Sequence, residues 1–130
     1  MTREQWKEFE PYFTPKECGM GMDYGFMKDV LMLRLILVSP IVVHAGYEID
    51  GHAPDSYHKK GRALDFHCQN VSPRRIQHAI DALGIFHGSG FYFWWNNPGF
   101  HIDNRPIELY QRWCSPRPQK YIYLVREIPV

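Results

Sequence analysis

His58 and Asp65 stand seven residues apart, on either side of a turn that contains Gly61, in the stretch SYHKKGRALDFH from Ser56 to His67. An imidazole and a carboxylate folded back over one spot by such a turn have the chemistry of two ligands for one zinc ion. Ala63, Leu64, Asp65, Phe66 and His67 alternate with the period of a strand, so Asp65 and His67 share the side opposite Leu64 and Phe66. With the apolar pair facing a core, Asp65 and His67 face a cleft. A third ligand is expected from the other dense cluster, Phe100, His101, Ile102 and Asp103, where the same alternation sends His101 and Asp103 to one face.

Taken singly, His58 reads as a turn residue, Asp65 as a strand-edge charge and His101 as a core histidine. The combination reads differently. The pattern S-x-H-x-x-G-x-A-x-D, filled by Ser56, His58, Gly61, Ala63 and Asp65 and followed by an aromatic-H-x-D strand, resembles the zinc peptidases of peptidase family M15. That family includes D-alanyl-D-alanine carboxypeptidases, murein endopeptidases and phage endolysins, and shares its fold with the hedgehog signalling domain. The resemblance spans residues 12 to 110 at motif level and is most specific in the first motif.

The resemblance implies zinc held by His58, Asp65 and His101, with one coordination position left for water. Zinc lowers the pKa of such a water to about 7 and polarises a carbonyl, so an amide bond is attacked at neutral pH without a covalent intermediate. The implied activity is metallopeptidase cleavage of a peptidoglycan bond involving a D-amino acid. Ser56 would contact the substrate, and His67, Tyr57, Tyr92 and Trp94 would line the cleft.

Three positions depart from the family pattern. Ala45 stands where a serine is usual, Glu48 where an arginine helps hold the substrate or the oxyanion, and Pro98 where relatives often carry an acidic base. A carboxylate cannot stabilise a developing negative charge, so another donor is needed, and His44 is the candidate. Asp103, on the strand face of His101, is the candidate general base; its alternative role is to orient a ligand histidine. These departures also admit a second reading, a family-fold module that binds cell wall or builds a virion without hydrolysing anything.

The elements that must position these groups are legible from caps and breakers. Thr2 caps a short helix through Phe9, which Pro11 stops; FTPKECGMGMD reads as a loop in which Cys18 packs rather than reacts. Asp23 caps a helix from Tyr24 to Val38 with Phe26, Val30, Leu33 and Leu37 on its buried stripe. Ile41 to His44 is a short strand, and Glu48 to Asp55 a loop in which His52 reads as solvated. Ser72 and Pro73 start a helix to Leu83, with Ile76, Ile80 and Leu83 inward and Arg74, Arg75 and Asp81 outward. Gly88 and Gly90 open a hairpin arm GFYFWW, and Asn96 to Gly99 turn the chain into FHID. Ile107 to Trp113 is ambiguous, a last short turn of helix being one reading, and Tyr121 to Val125 reads as a closing edge strand.

The whole is expected to be a single α+β domain over residues 1–130, hedgehog and D-Ala-D-Ala peptidase-like, with a mainly antiparallel sheet carrying the metal and helices packed on one face. A net charge of +1 supplies no field for nucleic acid, and 45% hydrophobic residues exclude disorder. Cys18, Cys68 and Cys114 are odd in number and widely spaced, with no C-x-x-C pair, so neither a disulfide framework nor a cysteine zinc site is suggested. Val30 to Val38 is too short to cross a bilayer, which takes roughly 20 residues. The N-terminus lacks a secretory signal, so a monomer made in the cytosol is expected, reaching peptidoglycan after lysis or in a phage context.

Overall fold

Helix boundaries in the computed structural model, which describes residues 1–124, fall where capping chemistry puts them. The Thr2 hydroxyl accepts from Gln5 N–H while the Gln5 side chain accepts from Thr2 N–H, starting α1 (Arg3–Lys7). Asp23 accepts from Phe26 N–H to start α3 (Tyr24–Leu37), and Ser72 accepts from Arg75 N–H to start α4 (Pro73–Leu83). Each such cap contributes about 1 kcal/mol. The first helix is shorter than expected, ending before Phe9. The glycine-rich stretch expected as a loop holds one helical turn, α2 (Pro15–Cys18), because Thr14 caps it and Pro15 presets its first φ.

Among the described residues six strands form one sheet in the order β1-β2-β4-β3-β5-β6. They are β1 (Val42–Ala45), β2 (Ala63–His67), β3 (Gly88–Tyr92), β4 (Gly99–Asp103), β5 (Gln111–Arg117) and β6 (Lys120–Leu124). Every neighbouring pair is antiparallel except β3 and β5, which run parallel. The class is α+β, as expected. β5 was not expected: the ambiguous stretch gives only a 3-10 turn at Ile107–Leu109 before the chain turns into a strand. The expected edge strand is present as β6, whose last expected residue, Val125, lies outside the described residues.

Period-two geometry sorts the sheet into two faces. Leu64, Phe66, Phe100 and Ile102 join Phe26, Val30, Leu33, Ile76, Ile80 and Phe86 in one buried cluster, so the helices pack against this face. Phe26 meets Phe86 edge to face at 6.0 Å, and a buried phenylalanine contributes about 1.5–3 kcal/mol. Asp65, His101 and Asp103 consequently point the other way. Asp81 is not simply solvated: its carboxylate accepts from Nε of Arg112, 3.0 Å away and only 2% exposed, which ties α4 to β5.

Candidate metal centre

His58, Asp65 and His101 each offer one ligand atom, and these atoms lie within 4.8 Å of one another. Two separate devices bring them there. Gly61 closes the 3-10 turn Tyr57–Lys60 with φ at 69°, a left-handed conformation that disfavours any side chain, and its N–H bonds back to the His58 carbonyl at 3.2 Å. That turn is what carries His58 over β2. Register does the rest, because Asp65 pairs directly with His101 between β2 and β4.

The nitrogen of each histidine that faces the cluster is fixed by what the other nitrogen does. His58 donates from Nδ1 to the Gly46 carbonyl at 2.8 Å, leaving Nε2 3.3 Å from Asp65 Oδ1. His101 bonds through Nε2 to Asp103 Oδ2 at 2.7 Å, leaving Nδ1 2.8 Å from Asp65 Oδ1. Ligand histidines are ordinarily held in this way, by a carbonyl on one and a carboxylate on the other. The donor set is nitrogen, nitrogen and oxygen, which suits zinc, and both rings are oriented for it.

Asp103 has no exposure at all. Arg105 grips it with two parallel bonds, Nε to Oδ1 at 2.9 Å and Nη2 to Oδ2 at 2.8 Å, and is itself flanked by the rings of Trp113 and Tyr57 at 5.3 and 5.5 Å. Of the two roles expected for Asp103, this geometry is that of the group that orients His101. A carboxylate shared between a guanidinium and an imidazole in a closed site is poorly placed to collect a proton from substrate.

Electrostatics follow the geometry. Burial alone would raise the carboxyl of Asp65, but bonds from His101 and His58 outweigh it and hold it below the usual carboxylate range. For Asp103 burial is again opposed and outweighed, here by Arg105 and His101. Burial lowers the His101 imidazole, yet the two carboxylates at its ring nitrogens prevail and raise it to about 9. In the metal-free protein the two flanking carboxylates thus favour the imidazolium form of His101. A cation entering at Nδ1 would take the place of a proton.

The remaining expected residues fall at different distances from the chemistry. Ser56 caps the turn, its hydroxyl accepting from His58 N–H at 3.2 Å, so it shapes the ligand-bearing turn. His44 sits at the irregularity in β1 between Val43 and Ala45, and its Nε2 lies 2.6 Å from Nδ1 of His67. The two share the cluster's side of the sheet. Burial, and then the neighbouring His67, hold His44 below its ordinary value. Cys18 is buried, and burial pushes its thiol up to about 12, consistent with packing.

Residues that sequence reasoning missed complete the surroundings. His52, expected to be solvated, stacks on His58 with ring centres 4.3 Å apart, and its Nε2 is 3.4 Å from Glu48 Oε2. The signal available was its place in the loop leading to the motif, but a loop fixes no direction. Trp113 lies 5.5 Å from His101 on β5, a strand not foreseen. Gly90 makes that approach feasible, since a Cβ there would collide with the indole.

Among the described residues no helix is long and apolar enough to cross a membrane. Searches against protein-family models, curated proteins and solved structures found no match to this chain.

Proposed function

We propose that this protein is a zinc-dependent metallopeptidase that hydrolyses a peptide bond of peptidoglycan, at a bond involving a D-amino acid. The observation that carries the reading is the convergence of His58 Nε2, Asp65 Oδ1 and His101 Nδ1 with each histidine's second nitrogen already committed. The motif resemblance around Ser56 to Asp65 supplies the substrate class.

Bound zinc would supply Lewis acidity, activating water and polarising the scissile carbonyl. The chain's own residues do the rest. Gly46 and Asp103 hold the ligand rings in one tautomer and orientation. Arg105 keeps Asp103 anionic. His52 stacks on His58, and Glu48 Oε2 lies 3.4 Å from His52 Nε2, so the accessible Glu48 carboxylate is the group assigned to take up a proton and return it to the leaving amine. Asp103 in this reading is a positioning residue, and the place of the absent acidic group at Pro98 is taken from the loop before the motif.

The direct test is release of soluble peptides from purified sacculi. Zinc-loaded protein should liberate new amino and carboxyl termini, and chelation or His58→Ala should abolish release. A second reading, a wall-binding module without activity, is favoured by Pro98, which stands where an acidic base is usual. Zinc-loaded protein that binds sacculi and liberates nothing would establish it instead.

A further inference from the structure

Beside the cluster lies a pocket of about 420 Å³ whose walls are Asp65, His44 and the tip of the β3–β4 hairpin, Trp94, Trp95, Asn96 and Asn97. Its size falls in the range of small-molecule sites, roughly 300–1,000 Å³. In the sequence Asn96 and Asn97 read only as turn residues, and nothing there marks Trp95. Three features say what would fit.

The first is that the aromatic wall is built before any ligand arrives. Trp95 stacks on Tyr92 with ring centres 4.4 Å apart and planes 10° from parallel, and its other neighbour is His44 at 5.1 Å. Trp94 is pinned through its indole N–H, which donates to Ser115 Oγ at 3.0 Å. Indole faces held in place this way cost a ligand little ordering entropy. The second is the pair of primary amides, Asn96 and Asn97, both exposed at the rim. Each offers two donors and a carbonyl acceptor, a match for hydroxyls and for another amide. The third is that Asp65, the one carboxylate among the described lining residues, is already bonded to His58 and His101. A cationic side chain of a peptide finds no free carboxylate among the described lining residues.

A flat ring with apolar C–H faces, several hydroxyls and an acetamido group meets all three conditions. We infer that this pocket binds an N-acetylated hexosamine of the glycan strand, so that the substrate is recognised by its sugar as well as by its peptide. The inference deepens the peptidase reading and rests on it for the choice of polymer. Because Asp65 belongs to both pocket wall and metal cluster, a stem peptide attached to the bound sugar enters the cluster directly. Sugar-bearing muropeptides are then better substrates than free stem peptides of identical sequence.

Two measurements separate this inference from the peptidase reading. The first is binding of a β-1,4-linked N-acetylglucosamine trimer, followed by tryptophan fluorescence and by NMR shifts of the Asn96 and Asn97 side-chain amides, in zinc-loaded and chelated protein. Saturable binding in both states, weakened at least tenfold in Trp95→Ala and in the Asn96→Ala, Asn97→Ala double variant, is expected. The double variant alters only exposed turn side chains, so it guards against misfolding of Trp95→Ala. Absence of saturation, or equal affinity in folded variants, overturns the sugar site whether or not the protein hydrolyses anything. The second is cleavage of matched stem peptides with and without the sugar: at least a tenfold higher kcat/KM for the sugar-bearing form is expected, and equal values overturn the inference while leaving the peptidase intact. Trimer binding with no hydrolysis of either substrate upholds the pocket and rejects the peptidase reading.

Discussion

His101 and Asp103, two residues apart on β4, meet through Nε2 and Oδ2 at 2.7 Å, on the side of the imidazole away from Asp65. Neighbours at that spacing share one face of a strand, so the bond is local, while the ring's other nitrogen is spent on a residue of β2. One histidine thus joins a local carboxylate to a distant one.

If His101 presents Nδ1 to a metal, the three ligand positions must stand or fall together. Zinc measured in protein equilibrated at buffered free zinc should be near one ion per chain. In His58→Ala, Asp65→Ala and His101→Ala it should fall close to zero. Full occupancy in the folded variants rejects the centre.

Asp103→Asn removes the charge that orients His101 and leaves the Arg105 guanidinium without its partner. Zinc affinity is expected to drop by about 10–100-fold, and stability by about 3–5 kcal/mol, as for a buried pair broken on one side. Competition with a chromophoric chelator and denaturant unfolding read the two effects separately. If Asp103 were instead the proton acceptor, activity would collapse with zinc affinity unchanged.

Glu48→Gln should leave zinc binding intact and lower kcat by about 10²–10⁴-fold, the usual contribution of proton transfer by a positioned side chain. Unchanged kcat would remove Glu48 from the reaction and return the search for a base to the cleft.

The metal-free protein is expected to show a distinctive pH dependence. Its His101 pKa, raised from 6.5 to about 9, means that the folded state binds this proton more tightly than the unfolded chain does. That stabilisation is fully present below pH 6.5 and is lost as the pH climbs through about 9. Thermal unfolding in chelator should therefore show Tm falling across this window. Saturating zinc, which replaces the proton, should offset the fall and add stability. A flat profile in chelator would mean that His101 is not held charged.

Gly90→Ala probes the packing behind the cluster. The new Cβ has no room beside the Trp113 indole, so the ring must shift from His101, at a cost of about 1–3 kcal/mol. Wild-type stability and unaltered tryptophan fluorescence would show that the approach is not needed.

Much of this was written locally. The left-handed turn at Gly61, the alternation through Asp65 and His67, and the caps at Asp23 and Ser72 depend on residues within a few positions of one another, and each element formed where those residues place it. Facing direction within a strand is equally local, since side chains alternate whatever lies across the sheet. What the sequence alone left open was partnership: whether Asp103 serves substrate or histidine, where His52 turns, and that Gln111–Arg117 is a strand. Those were decided by tertiary structure. Arg105 had to fold back onto Asp103, the loop after Glu48 had to close over His58, and β3 had to offer a parallel edge for β5. Contacts of this kind leave no periodic trace along the chain, because they depend on distances that exist only once the sheet is assembled.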